Sequence, residues 1–137
     1  MMYTKDFGKT WSPVITVARP DAPLDIGVVG LGTGTLACYR RAGQGWTFFE
    51  IDPAVVRIAR GSGQFSFLSR CAPDARMVLG DARLTLAAGP ADAFDILAVD
   101  AFSSDAVPMH LLTHEAIGVY DRALRPDGLL LVHISNR

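Results

Sequence analysis

Apolar residues fall along this chain in short unbroken runs, and the runs are separated by stretches with helical spacing. Ile26-Gly27-Val28-Val29, Ile96-Leu97-Ala98-Val99 and Leu129-Leu130-Leu131-Val132 are nearly continuous rather than alternating, as in strands buried on both faces of a parallel sheet. The pattern predicts strands over 25–29, 47–51, 75–79, 94–99 and 129–135. Helices are predicted over 35–41, 53–60, 82–88 and from Thr113-His114-Glu115 to Leu124, with a loop or short helical piece around Phe65, Phe67 and Leu68. Pro53 suits a first helical turn, Asp81 can cap the helix that follows it, and Arg125-Pro126-Asp127-Gly128 turns the chain into the last strand. Residues 1–24 read as an irregular lead-in, broken by Gly8, Pro13, Pro20 and Pro23, with at most a short strand at 14–18. Strands alternating with helices over 25–137 define a doubly wound α/β domain.

In such sheets ligands bind beyond the carboxyl ends of the strands. Four strand ends therefore matter most. The first runs into Gly30-Leu31-Gly32-Thr33-Gly34, the second ends at Glu50-Ile51-Asp52, the third at Gly80-Asp81, and the fourth at Asp100. Glycines let the chain turn sharply and let a bulky ligand approach the backbone, while a carboxylate on the next strand tip can accept from a ribose diol. Asp81 is placed to accept from an adenine amino group, a role compatible with capping a helix. Together the four ends fit one adenosine compound. A dinucleotide is disfavoured because Thr35 stands where the third glycine of G-x-G-x-x-G belongs, and no Gly-Lys-Ser/Thr follows the turn as a P-loop requires.

Composition narrows the partners. The chain has 137 residues, half of them apolar, and a formal net charge of -1, which suits one domain with a real core and offers no basic field to nucleic acid or a membrane surface. Apolar runs are too short for a membrane span, so a soluble, cytoplasmic protein is expected. Cys38 and Cys71 lack metal-ligand spacing and are expected to be free, buried thiols in a reducing compartment. His110, His114 and His133 are too scattered to suggest a metal site, although His133 ends a strand near the expected cleft. Trp11 and Trp46 are expected in the core or at its rim.

From Ile26 to Arg137 the chain resembles the class I S-adenosylmethionine-dependent methyltransferase fold, a Rossmann-like parallel sheet, and within it the spermidine synthase (polyamine aminopropyltransferase) group. The resemblance rests on Val29-Gly30-Leu31-Gly32-Thr33-Gly34, Glu50-Ile51-Asp52, Gly80-Asp81-Ala82-Arg83 and Phe94 to Asp100 followed by Ser103-Ser104-Asp105. It implies a cofactor site at Gly30, Gly32, Thr33, Gly34, Glu50, Asp81, Ala82 and Asp100, filled by S-adenosylmethionine or its decarboxylated form. It also implies catalysis by Asp100, with Asp105 as second carboxylate or as the base itself. The fold as read stops after its fifth strand, so a longer protein, or a homodimer covering the bare edge, is expected.

The implied chemistry is attack of an amine on the carbon beside a sulfonium. An alkylamine of pKa about 10.4 costs roughly 4 to 5 kcal/mol to deprotonate at pH 7, so a positioned carboxylate base is valuable. Two departures from the group keep other readings open. Its Asp-Ser-Ser-Asp run is opened by Ala101-Phe102, and Thr33 replaces the aspartate of its Gly-Gly-Gly-Asp-Gly turn. Aminopropyl transfer to an amine is the first reading, S-adenosylmethionine-dependent methyl transfer to an unidentified acceptor the second, and a non-catalytic nucleoside-binding domain of a larger protein the third.

Overall fold

A computed structural model describes residues 23–101 and 108–133. Five strands, β1 (Asp25–Val29), β2 (Gly45–Glu50), β3 (Arg76–Leu79), β4 (Phe94–Val99) and β5 (Leu124–Val132), form one sheet in the order β3-β2-β1-β4-β5. All four pairings are parallel. The reversal of direction in strand order falls between β1 and β4, which opens a crevice at their carboxyl ends.

Both faces of the sheet are covered, which is why the strands carry no polar alternation. On one face Ile26, Val28, Phe48, Ile96 and Leu131 pack against Ala37, Ala59 and Leu68. These last come from a 3-10 helix (Thr35–Tyr39) and from helices α1 (Pro53–Gly61) and α2 (Phe67–Cys71). On the other face Val29, Phe49, Leu97 and Val99 meet α3 (Ala82–Ala88) and α4 (His114–Ala123), with Leu86, Ala116 and the fully buried Tyr120 inside. Trp46 is buried in the first layer, its Nε1 donating to Gln44 Oε1 at 3.2 Å.

Helix starts follow their sequence signals. Asp52, Asp81 and Thr113 each cap a helix by accepting from backbone N–H groups of the first turn. Two elements differ from the expected pattern. The predicted helix 35–41 is a 3-10 helix ending at Tyr39, because the Arg40 and Gln44 N–H groups close turns onto Ala37 and Arg41. The last strand starts early, at Leu124, which pairs with Phe94 before pairing resumes at Ile96 with Leu129. Arg125 to Gly128 therefore form an outward excursion within β5 rather than a turn before it.

The cysteines require a correction. Cys38 and Cys71 are joined as a disulfide across a separation of 33 residues, and Cys38 is exposed rather than buried. Local spacing does not reveal that the 3-10 helix and α2 pack together, and that packing brings the two sulfurs into contact. No helix among the described residues is long and apolar enough to cross a membrane.

Candidate functional site

The glycine turn is held by two different constraints. At Gly30, φ is +96° and an added Cβ would stand 2.5 Å from the Asp100 carbonyl oxygen, so the β1 tip lies directly on the β4 tip. Backbone bonds lock this approach, with Gly30 N–H donating to Phe49 O and Asp100 N–H to Val29 O, both at 2.8 Å. Gly32 is different. Its φ is +53°, yet among the described residues nothing lies within 4 Å of an added Cβ; their packing leaves that side of the turn open. Gly34 abuts Leu68 of α2, and Thr33 between them is half-buried.

Glu50 carries a function that the sequence pattern does not show. Its buried carboxylate accepts from Leu31 N–H through Oε2 at 3.0 Å and from Asp52 N–H through Oε1 at 2.9 Å. It thus ties the β2 tip to the glycine turn. A carboxylate has about four acceptor sites, so each oxygen keeps capacity for a further donor.

Asp81 caps α3 through Oδ1, accepting from Arg83 N–H at 2.8 Å and Leu84 N–H at 3.3 Å. Its Oδ2 lies 3.8 Å from His110 Nε2. Ala82 is buried immediately behind it. His110 belongs to a short 3-10 helix (Met109–Leu111), which Tyr120 fastens to α4 by donating its hydroxyl to Leu111 O at 3.0 Å. Burial pushes the Tyr120 phenol up to about 12, so the tie is a neutral hydrogen bond throughout the physiological range.

Asp100 stands at the end of β4, its side chain about a quarter exposed, with Oδ1 2.6 Å from Nδ1 of His133 at the end of β5. Burial pushes its carboxyl above the ordinary carboxylate range, and the hydrogen bond from His133 works against that shift. Asp105 lies outside the described residues, as do Trp11, the possible strand at 14–18 and the end of the chain from Ile134.

A cleft of about 300 Å³ opens at these strand ends, lined among others by Gly30, Ile51, Asp81, Ala82, His110 and Leu111. A cleft of about 360 Å³ lies by Asp25, Thr47, Arg76 and Phe94, at the amino ends of the strands. The smaller one is the candidate site, because it lies at the carboxyl tips of the strands and is lined by Gly30, Asp81, and Ile51 and Ala101, the chain neighbours of Glu50 and Asp100. Gly30, Gly32, Asp81 and Asp100 stand at or just beyond strand ends, as the sequence pattern predicts. That pattern misses the contact of His110 with Asp81, which no local motif marks, and the pairing of His133 with Asp100, which only its strand-end position suggested.

The architecture is the class I S-adenosylmethionine-dependent methyltransferase fold, on which spermidine synthases are also built. No protein-family profile matches the chain, and no curated protein matches its sequence. Among solved structures it is similar to a probable spermidine synthase from Corynebacterium glutamicum, with 25% identity and a TM-score of 0.73 over 88% of this chain and 43% of that one. A spermidine synthase in complex with the transition state analogue AdoDATO aligns with a TM-score of 0.70 and 22% identity, over 84% of this chain and 40% of that one. A TehB-like SAM-dependent methyltransferase from Corynebacterium glutamicum aligns with a TM-score of 0.57 and 23% identity, over 88% and 59%. The last two, under 25% identical, show the fold alone. The chain spans less than two thirds of each of these proteins.

Proposed function

We propose that this domain binds an adenosyl sulfonium compound and serves a spermidine synthase-like transfer of an aminopropyl group to an amine. The observation that carries the reading is the charge of the cleft. Glu50, Asp81 and Asp100 converge on the carboxyl end of the sheet, and among the described residues no arginine or lysine forms an ion pair with them. Such a rim favours a ligand rich in donors and positive charge. The likeness to a probable spermidine synthase at 25% identity and a TM-score of 0.73 supports aminopropyl transfer as the first reading.

The residues present fit the ligand class. The open side of Gly32 leaves room beside the backbone, and Thr33 is only half-buried. In this reading Glu50 accepts from the ribose hydroxyls with its remaining capacity, Asp81 accepts from the adenine amino group, and Ala82 and the exposed Ile51 supply apolar walls. The sulfonium, when bound, supplies an activated alkyl carbon. Asp100 takes the proton of the attacking amine, and its burial helps, since a raised carboxyl pKa narrows the gap to the amine. Asp105 is proposed to hold the far end of the acceptor.

Methyl transfer is the second reading, favoured by Thr33 in place of an aspartate that would bind a cationic amine end and repel a carboxylate. Calorimetric titration with S-adenosylmethionine, its decarboxylated form and methylthioadenosine separates the two. Tighter binding of the decarboxylated compound is the expected result. Preference for the intact compound establishes the second reading, and a folded sample that binds none of the three defeats both.

A further inference from the structure

We propose that His133 is a positioning residue at the carboxyl end of the sheet, holding the Asp100 carboxylate by one oxygen so that its other oxygen meets a cationic centre in the ligand and the site selects sulfonium over thioether. The inference rests on the adenosyl sulfonium reading and adds a residue to it. His133 follows β5 directly, its N–H donating to Val99 O at 2.9 Å, so its ring is anchored to the sheet rather than to a loop. The imidazole is largely buried, and Nδ1 lies 2.6 Å from Asp100 Oδ1. An ionised carboxylate can only accept, so Nδ1 is the donor in that state. Oδ2 of Asp100 has no hydrogen-bond partner among the described residues, and the side chain is still partly open to solvent.

The choice of partner has an electrostatic consequence. Arginine or lysine at this position would orient Asp100 equally well but would cancel its charge. Histidine, unlike arginine or lysine, can donate such a hydrogen bond as an uncharged ring, the form in which the carboxylate keeps its net negative charge. The carboxylate is thus fixed in direction and remains available to a cation. Asp81 lies beside His110 and caps a helix, and Glu50 accepts from two backbone N–H groups, so Asp100 is the strand-end carboxylate whose direction is set through a side chain.

S-adenosylmethionine and S-adenosylhomocysteine differ only by a methyl group and its positive charge, and the ratio of their dissociation constants reads this selectivity. Wild-type protein is expected to prefer the sulfonium, and His133→Leu to lower that preference about fivefold or more. His133→Asn, which keeps a donor near the position of Nδ1, is expected to retain it within about twofold. Asp100→Asn, nearly the same shape without the charge, is expected to lose it as His133→Leu does, and serves where the leucine variant fails to fold. Loosening of the fold alone weakens both ligands together and leaves the ratio unchanged. An unchanged ratio in Asp100→Asn or in folded His133→Leu overturns the proposal while the adenosyl reading survives, whereas wild-type protein that binds neither compound overturns both.

Discussion

The two ends of the sheet treat their carboxylates in opposite ways. At the amino end, Asp25 and Asp95 close on one cation: Arg125 pairs with Asp25 at 2.8 Å and with Asp95, and Asp95 Oδ2 also accepts from Asp25 N–H at 2.8 Å. The pair with Asp25, and then the charge of Asp95, raises the Arg125 pKa further. At the carboxyl end, Glu50, Asp81 and Asp100 are met by backbone N–H groups and by imidazoles. The difference separates charge that closes a structure from charge left to meet a ligand. Acidic residues at one end complete the fold within the chain, and those at the other keep acceptor capacity in a cleft.

Substitutions can break that contrast, beginning with the turn. Gly30→Ala places a Cβ against the Asp100 carbonyl at a positive φ, so clash and strain combine; a loss of about 3 kcal/mol or more in urea unfolding is expected. Gly32→Ala meets open space and carries only the strain of its φ, about 1 to 2 kcal/mol. If the open side of Gly32 belongs to the ligand, this second variant stays folded and loses nucleoside affinity out of proportion to its stability.

At the opposite end, Arg125→Met removes the guanidinium that bridges Asp25 and the buried Asp95. Since the arginine is partly exposed, a cost of about 2 kcal/mol is expected, below that of a fully buried pair. Ligand affinity in the folded variant should stay at the wild-type level. A large loss of affinity there would erase the division of labour between the two ends.

The smallest effect on stability is expected at Asp100, where its sign is the informative part. Its folded pKa lies above the ordinary carboxylate value, so the folded protein holds the proton more tightly than the unfolded chain. Its contribution is therefore most favourable below the unfolded pKa and declines as pH rises through the folded one. Asp100→Asn should be at least as stable as wild type above that window, with the advantage vanishing at lower pH. Urea titrations from pH 4 to 8 would show this, and a variant less stable at pH 7 would place Asp100 with the structural acids.

Much of this was legible in the sequence, for reasons that differ by element. β1, α3 and β4 occur where the pattern predicts because an unbroken apolar run or a capping aspartate marks both what forms and where it starts. The 35–41 segment was less legible, since helical spacing does not distinguish an α-helix from a 3-10 turn closed by neighbouring N–H groups. The early start of β5 was hidden by Pro126 and Gly128, which mark a turn without showing that pairing exists on both sides of it. The placement of Glu50, Asp81 and Asp100 at one end of the sheet was legible because a parallel topology sends strand ends to one place. Their partners were not, since Asp100 and His133 are 33 residues apart in sequence and only the adjacency of β4 and β5 brings them together. Cys38 and Cys71 were misread for the same reason.

The disulfide has a consequence for how the chain can come apart. It closes a covalent ring from Cys38 to Cys71 that contains β2 with Glu50, all of α1, and an exposed stretch around Gly61 to Gln64. A protease that cuts this stretch opens the ring without releasing a piece. The glycine turn and the strand that braces it remain on one fragment, still bonded to the fragment carrying Asp81 and Asp100. On a denaturing gel the nicked protein would run as a single species until a thiol separates it into two.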